Sequence, residues 1–223
     1  MYIIEALPAP VDANDLDVLR QAEPATIGHF ITHGIPNPQI RAHFADVRAV
    51  GTAVTVRMPG NDGGILHHAM GCVRPGDFLV VDRCGERITA AMGGAMAYAA
   101  RQAGVAGIIV DGYVTDLGEL REHGVPVWSR GASAITTRVI GQEGEFCTAI
   151  QCGGVIVRPG DAVVADENGI VFLRPDEAVA LARRAIDFQR NEKYTLERLA
   201  RGEKFPDIVG SRPIIEAAIR PRG

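Results

Sequence analysis

Two short segments of this 223-residue chain combine residue types that could bind a charged substrate. The first, Met92-Gly93-Gly94-Ala95-Met96, opens a predicted helix. The first N–H groups of a helix have no partner within the helix and carry a partial positive charge, so they can bind a carboxylate or a phosphate. Two glycines would let an anion approach the backbone, although close packing of the helix would also explain them. The spacing differs from the Gly-x-Gly-x-x-Gly pattern of a dinucleotide-binding turn.

The second segment follows an apolar run, Ile108-Ile109-Val110, which is typical of a strand covered on both faces. Ligands of α/β proteins collect at the carboxyl ends of strands, so we expect Asp111 and Asp116 to lie in a ligand-binding turn after this strand. A carboxylate there could hold a hard cation that keeps several of its waters. Alternatively, Asp116 caps the helix predicted over 117–123.

Histidines and cysteines offer weaker candidates. His67 and His68 are adjacent, so on a helix they point in different directions and at most one of them could serve a given site. A packed or surface histidine is the alternative for each. The four cysteines contain no Cys-x-x-Cys pair, and we expect them to be free, buried thiols.

The elements around these segments predict an α/β fold. A helix within 90–104 that is opened by Gly93-Gly94, a strand over 108–110, a helix over 117–123 and a strand over 126–128 form a β-α-β pattern with their neighbours. Further predicted elements are one or two helices over 9–34, a strand over 47–58, a helix over 65–70, strands over 153–157 and 170–173, a long amphipathic helix over 176–202 and a short helix over 214–219.

A short internal repeat flanks this pattern. Residues 73–82 read VRPGDFLVVD and residues 157–166 read VRPGDAVVAD, with seven of ten positions identical. Each copy is a Pro-Gly-Asp turn that leads into an apolar strand ending in Asp. We interpret the copies as two equivalent entries into a sheet, since turns of this kind are structural, and not as two active sites.

Composition excludes several classes of protein. With 23 Lys and Arg against 27 Asp and Glu, the net charge is −4, and the absence of a basic cluster argues against nucleic-acid binding. No apolar run reaches the ~20 residues of a membrane span, and the opening residues lack a signal-peptide pattern, so we expect a cytoplasmic protein. The length predicts one domain over 1–205 and a C-terminal tail over 206–223.

Together these segments resemble the RraA-like family, which includes 4-hydroxy-4-methyl-2-oxoglutarate aldolases. The resemblance covers roughly residues 45–205 and is most specific in GGVIVRPGDAVVADENG, residues 153–169. It implies an α/β fold of the swivelling, phosphohistidine-domain type, with β/β/α layers and a long C-terminal helix. It also implies a homotrimer or a homohexamer with a site shared between subunits.

The resemblance further implies how the site works. In the family's aldolases, pyruvate lies against backbone amides of the glycine-rich helix start, which corresponds here to Gly93, Gly94, Ala95 and Met96. The Asp that binds Mg²⁺ or Mn²⁺ corresponds to Asp116. A Glu from the neighbouring subunit's C-terminal helix corresponds to Glu192. We expect Thr115 and Asp111 beside the substrate, with Asp116, Glu192 and Thr115 as the catalytic set.

The chain departs from the aldolases at two of these positions. Thr115 stands where they have an Arg, and Gly94 stands where they have an acidic residue. Because Thr cannot replace a bidentate carboxylate donor, either Arg83 or Arg130 supplies the guanidinium or the substrate differs.

The resulting prediction is a divalent-metal-dependent lyase that cleaves a 2-oxo acid by a retro-aldol reaction and releases pyruvate, with oxaloacetate decarboxylation as a related activity. Two alternatives stay open, because fold and activity are separate questions. One is a non-catalytic family member that binds and regulates a partner enzyme. The other is a related enzyme with a different substrate.

Overall fold

The computed structural model describes residues 1–219, which form a mixed α/β fold. Its strands are β1 (Tyr2–Ile4), β2 (Arg41–Ala42), β3 (Arg48–Arg57), β4 (Asp77–Asp82), β5 (Gly107–Val114), β6 (Val127–Ala132), β7 (Gly144–Phe146), β8 (Ile150–Cys152), β9 (Val155–Val157), β10 (Ala162–Asp166) and β11 (Ile170–Leu173). Its helices are α1 (Ala13–Leu19), α2 (Pro24–Ile27), α3 (Gly64–Met70), α4 (Gly94–Gln102), α5 (Leu117–His123), α6 (Pro175–Ala200), α7 (Phe205–Ile208) and α8 (Ser211–Ala218).

Four parallel strands form the centre of the sheet. β3, β4, β5 and β6 lie side by side in chain order, and α3, α4 and α5 make the three crossovers between them. Successive side chains of a strand point to opposite faces. Accordingly, Leu79 and Val81 pack with the crossover helices, whereas Phe78 and Val80 pack on the other face. Both faces are apolar because both are covered.

The second face carries a β layer. The first half of β3 pairs antiparallel with β10, which pairs in turn with β11, and the end of β3 pairs with β7. The β8–β9 hairpin contributes Ile150, Cys152 and Val157 to the core on this face. Helices α1, α2 and α6 pack on the outer side of β10 and β11 around Ala178, Ala182 and Ala185. The two β layers and the crossover helices give the predicted β/β/α order, and α1, α2 and α6 form a further helical layer outside β10 and β11.

The two copies of the repeat form equivalent turns. In each copy the Asp side chain accepts a hydrogen bond from the backbone N–H three residues earlier, at 2.7 Å for Asp77 and 2.8 Å for Asp161. The preceding glycines, Gly76 and Gly160, have φ values of +84° and +88°, which favour glycine. The strands that follow reach opposite edges of β3 near Thr52. The interpretation as two sheet entries is confirmed.

One predicted boundary at the centre of the fold is wrong, since β5 continues to Val114 instead of ending before Asp111. The helix start predicted at Gly93-Gly94 is confirmed, because α4 begins at Gly94. Residues 90–92 lie outside the helix and are hydrogen-bonded to the end of β5. There the Ala91 N–H donates to the Tyr113 carbonyl at 2.7 Å. Tertiary pairing overrides the helical propensity of this alanine-rich segment.

The C-terminal part of the chain contains α7 and α8, which bury none of their residues. The predicted short helix over 214–219 corresponds to α8, which starts earlier, at Ser211. The division into a domain over 1–205 and a tail over 206–223 stays a prediction, and residues 220–223 of that tail lie outside the described part of the chain.

All four cysteines are free, as predicted. Cys147 and Cys152 are buried, but Cys84 is exposed, so the expectation of burial is wrong for that residue. None of the helices within residues 1–219 combines the length and apolar character needed to cross a membrane.

Candidate active site

A pocket of about 230 Å³ lies at the carboxyl ends of the parallel strands, beside the start of α4. Its walls come from four segments of the chain that the fold brings together. The lining residues are His67, Ala90, Ala91, Met92, Gly93, Gly94, Ala95, Met96, Thr115, Asp116, Thr136 and Thr137. The predicted glycine-rich segment and the predicted Thr115-Asp116 pair therefore face the same space.

The start of α4 supplies backbone donors to this pocket. Gly93 is the N-cap in an extended conformation, and its carbonyl accepts the first helical hydrogen bond from the Ala97 N–H at 3.1 Å. The amides of Gly94, Ala95 and Met96 belong to the first turn, where helical N–H groups have no partner within the helix. This geometry can bind an anion such as a carboxylate.

Asp116 occupies a strained position between β5 and α5. Its backbone has φ +55° and ψ +43°, the left-handed conformation that few residues other than glycine adopt. Although Asp116 is the N-cap of α5, its side chain makes no capping hydrogen bond to that helix. Instead its Oδ2 accepts a hydrogen bond from the Gly94 N–H at 3.0 Å, and Thr115 Oγ1 donates to its Oδ1 at 3.2 Å. The capping alternative is wrong, because this carboxylate is directed across the pocket to α4.

A second carboxylate lies at the same helix start. A Cβ added to Gly94 would come within 1.7 Å of Glu119 Oε2, and one added to Gly93 would come within 2.2 Å of Asp116 Oδ2. Acidic side chains therefore approach both glycines closely, which supports the explanation that the glycines are needed for packing. The amides of this helix start can still bind an anion. Glu119 was not predicted from the sequence as a site residue. Its spacing from Asp116 is that of a capping box, which could have singled it out.

The remaining walls contain residues that were predicted from the sequence only weakly or not at all. His67, on α3, lines the pocket, whereas His68 turns away and contacts Phe146 edge-on with ring centroids 5.4 Å apart. Thr136 and Thr137 line the pocket because their segment is bridged to Ala90. The expectation that at most one of the two histidines serves a site agrees with this arrangement.

Asp62 anchors the loop that carries these walls. Its buried carboxylate accepts hydrogen bonds from the backbone N–H groups of Gln142, Gly64 and Ile140, at 2.6, 2.9 and 3.1 Å. Burial by itself would raise the pKa of Asp62, but these bonds hold that pKa well below its usual range. Asp62 thus connects the start of α3, which bears His67, to the segment after Thr137.

Asp111 does not join the pocket. It lies within β5, after Val110, and therefore points to the face opposite the crossover helices. Its carboxylate is 3% exposed and accepts hydrogen bonds from the Arg130 guanidinium and, at 2.7 Å, from the Gly153 N–H. The expectation that Asp111 lies in a turn beside Asp116 is wrong, because the strand extends past it.

Neither arginine considered as a replacement for the family's Arg lines the pocket. Arg83 is fully buried, and its guanidinium donates to the Met58 and Gly60 carbonyls at 3.0 and 2.7 Å and to Glu86 at 2.8 Å. Arg130 is engaged by Asp111 on the other face of the sheet. Among the described residues, no arginine lines the pocket.

Glu192 is exposed in the second half of α6. The buried residues of α6 belong to the cluster around β10 and β11, whereas α4 packs in the cluster of the crossover helices. Glu192 and Asp116 thus lie on elements that pack in different parts of one chain, and the role of Glu192 stays a prediction about a second copy.

The two carboxylates at the start of α4 could bind a hydrated divalent cation. Within residues 1–219, no three His, Cys, Asp or Glu side chains are grouped so that they could hold a metal ion by themselves. Asp116 is exposed, and Glu119 supplies a second exposed carboxylate against the same turn of α4. Since Mg²⁺ is commonly bound by one or two carboxylates and keeps several waters, Asp116 and Glu119 are the residues that would hold it or Mn²⁺.

Known proteins of one family are similar to this chain. The family model described as RraA-like, Aldolase/RraA, matches residues 17–172. A protein of Halalkalibacterium halodurans, named provisionally as a 4-hydroxy-4-methyl-2-oxoglutarate aldolase, is 33% identical over 117 residues, 52% of this chain. That match spans about half of the relative's own length, 55%. An uncharacterized protein of Methanocaldococcus jannaschii is 30% identical over 161 residues, 71% of this chain and 76% of its own length.

A solved structure shares the fold. Streptomyces coelicolor RraAS2, described as an unusual member of the RNase ES inhibitor RraA protein family, superposes with a TM-score of 0.76 at 27% identity. The superposition covers 84% of this chain and 98% of that protein. The predicted α/β fold with a long C-terminal helix is confirmed.

Proposed function

The chain belongs to the RraA-like family, and on this premise we propose that it is a divalent-metal-dependent lyase that cleaves a 2-oxo acid by a retro-aldol reaction and releases pyruvate. One observation carries the proposal. The strained Asp116 turns its carboxylate away from its own helix and toward the start of α4, where free amides and Glu119 adjoin it. Backbone strain of this kind costs of order 1–3 kcal/mol and is concentrated at functional sites.

The pocket combines the two charges that a metal-bound 2-oxo acid needs. The first-turn amides of α4, chiefly those of Ala95 and Met96, would bind and orient the substrate carboxylate. Asp116 and Glu119 would hold the cation, which supplies Lewis-acid stabilisation of negative charge on the 2-oxo oxygen. Thr115 Oγ1, bonded to Asp116 Oδ1, would orient that carboxylate.

Cleavage also requires a group that takes a proton from the substrate hydroxyl. His67 on the pocket wall is the one basic side chain among the described lining residues, and it could take this proton. Glu192 from a second copy is the further group that the family resemblance suggests, acting through water. Without an arginine at the pocket, backbone amides would bind the substrate carboxylate, which favours substrates with fewer negative groups near Thr115.

A shared site requires an oligomer, and the C-terminal part of the chain has the surface for one. Tyr194 and Leu196 on α6 are 59% and 60% exposed, and Ile214 and Ile215 on α8 are 69% and 61% exposed. Exposed apolar residues on neighbouring helices are typical of surfaces that pack against a partner. Burial of these residues in a homotrimer or homohexamer would place Glu192, on the same half of α6, at the contact between subunits.

A non-catalytic role as a regulator of a partner enzyme is the second candidate. It is favoured by Thr115, since the pocket lacks the bidentate guanidinium among its described residues, and by the likeness to RraAS2. A catalytic pocket and a regulatory surface predict different responses to a change at Asp116.

The test is an assay of pyruvate release from 4-hydroxy-4-methyl-2-oxoglutarate and from oxaloacetate, with Mg²⁺ or Mn²⁺ and then with a chelator. We expect metal-dependent turnover that falls at least about 100-fold in Asp116→Ala, equivalent to about 2.7 kcal/mol of transition-state stabilisation. Asp17→Ala, which removes an exposed carboxylate from α1, is the matched control and should retain full activity. Turnover of neither substrate, or turnover that survives in Asp116→Ala, would contradict the proposal.

A mixing experiment tests the shared site. Asp116→Ala and Glu192→Ala chains, each inactive alone, should regain activity when they are unfolded together and refolded, because some sites then combine an intact Asp116 with an intact Glu192. Random assembly would restore about a quarter of the sites. Mixed oligomers that form but stay inactive would contradict the shared site. The assignment of the metal to Asp116 is tested separately by the assay of Asp116→Ala.

A further inference from the structure

A second cleft, larger than the pocket beside α4, lies where β2 meets the end of β6. Its volume is about 450 Å³, within the range of small-molecule sites. Its residues are mainly polar and include three arginines. They are Gln39, Arg41, Ala42, His43, Arg87, Tyr113, Ser129, Arg130 and Gly131. The proposed lyase activity uses none of them.

Positive charge exceeds negative charge in this cleft. No carboxylate is among its described lining residues, and the nearest one is Asp111, buried behind it. Arg130 donates to Asp111 through Nε, and Arg87 Nη2 lies 3.4 Å from the same Oδ1. Arg41 is exposed and, among residues 1–219, donates only to the Pro38 carbonyl, at 3.3 Å. Three guanidinium groups against one carboxylate leave an excess of about two charges.

Two of the three guanidinium groups, those of Arg130 and Arg87, are held in place before any ligand binds. Arg130 is fixed at both ends, since its Nη1 also donates to Gln39 Oε1 at 2.9 Å, and its side chain is 12% exposed. Arg87 Nη1 donates to the Asp111 carbonyl at 3.0 Å. Preorganised donors lose less conformational entropy when they bind an anion, and planar guanidinium groups can bind carboxylate or phosphate oxygens in pairs.

The wall opposite the arginines is uncharged, and its His43 and Ser129 side chains are hydrogen-bonded to each other. His43 Nε2 lies 2.6 Å from Ser129 Oγ, and Ser129 Oγ donates to the Gly131 carbonyl at 2.9 Å, so the imidazole is the donor in this pair. Burial lowers the pKa of His43, which keeps the ring uncharged near neutral pH. The wall therefore adds polar surface without a negative charge that would repel an anion.

We propose that this cleft binds a small organic anion with a doubly charged head group, of the class of a phosphate monoester or a dicarboxylate, at a site separate from the Asp116 pocket. Arg41 and Arg87 would bind the head group from the exposed side, and Arg130 would bind it from the floor of the cleft. Tyr113, on the rim, would pack against the carbon part of the ligand.

Isothermal titration of the whole protein at low ionic strength with inorganic phosphate, and separately with succinate, tests the proposal. We expect saturable binding of at least one of them to the wild type and at least about tenfold weaker binding to the double variant Arg41→Gln/Arg87→Gln. Both side chains are partly or largely exposed, so the variant should fold, and Arg41→Gln alone is the fallback. Arg20→Gln/Arg190→Gln, which removes the same charge from exposed positions of α1 and α6, is the control and should bind as the wild type does.

Three results would overturn the proposal. One is no binding of either anion up to about 10 mM. Another is an equal loss of affinity in the control variant, which would mean nonspecific charge attraction. The third is binding that Asp116→Ala changes and Arg41→Gln/Arg87→Gln leaves intact, which would locate the anion at the start of α4. Preference for phosphate over succinate, or the reverse, would identify which kind of head group the cleft takes.

Discussion

Asp111 and Asp116 lie five residues apart in one segment, yet the fold gives them opposite environments. Asp111 is buried and neutralised by Arg130 and Arg87, with the Gly153 N–H as a further donor. Asp116 is exposed, has a left-handed backbone, and accepts one backbone hydrogen bond, from Gly94. The first carboxylate joins β5 to β6 and to the β8–β9 hairpin, and the second faces a pocket.

The comparison separates a carboxylate that stabilises the fold from one that is available for chemistry. A buried charge is stable only when a partner is supplied, so Asp111 must keep its contact with the mostly buried Arg130 wherever the chain is folded. An exposed carboxylate held in a strained conformation contributes little to stability, and its conformation is then explained by what it binds. Proximity in sequence therefore says little about shared function in this segment.

The largest expected effect is on stability at Asp111. Asp111→Ala should lower the free energy of unfolding by about 3–5 kcal/mol, because it leaves Arg130 without its partner in a mostly buried position. Asp116→Ala should lower it by less than about 1 kcal/mol, since only one partly exposed backbone bond is lost. Urea denaturation of the two variants measures both values. Equal losses of unfolding free energy in the two variants would contradict the distinction between a stabilising Asp111 and an available Asp116.

An intermediate effect is expected at Gly94. A Cβ there meets Glu119 Oε2 at 1.7 Å and Glu119 Cβ at 2.7 Å, so Gly94→Ala should destabilise the protein by about 1–3 kcal/mol despite the better helix propensity of alanine. Glu119→Gly removes the side chain that causes the conflict. In a double-mutant cycle measured by denaturation, the two changes should couple by at least about 1 kcal/mol. Additive losses would show that Glu119 does not occupy this space.

The smallest expected effect has the opposite sign. Asp116→Gly should raise the free energy of unfolding by up to about 1 kcal/mol, because glycine adopts φ +55° without strain, while pyruvate release is lost. Asp116→Ala, which lacks the carboxylate but keeps the strain, is the matched control and should be less stable than Asp116→Gly. If Asp116→Gly is less stable than Asp116→Ala, the backbone at this position is not strained.

Much of the fold could be predicted from local patterns. The periodicity of β3, the crossover helices α3 and α5, the long α6 and the two Pro-Gly-Asp turns all appear in the sequence, because hydrophobic spacing and turn chemistry act over a few residues. The boundary that failed, the end of β5, depends on pairing between Ala91 and Tyr113. That pairing joins positions too far apart for a local pattern to reveal.

The sequence by itself determined the family, the order of elements, and the two segments that meet at the pocket, Gly93 to Met96 and Thr115-Asp116. Only the tertiary structure decided which side chains share that pocket. It added His67 to the pocket and Glu119 beside Gly94, and it assigned Asp111 and Arg130 to another face of the sheet. The physical reason is that strand alternation and long-range hydrogen bonds decide the partner of a charged side chain, and neither can be read from its neighbours in the chain.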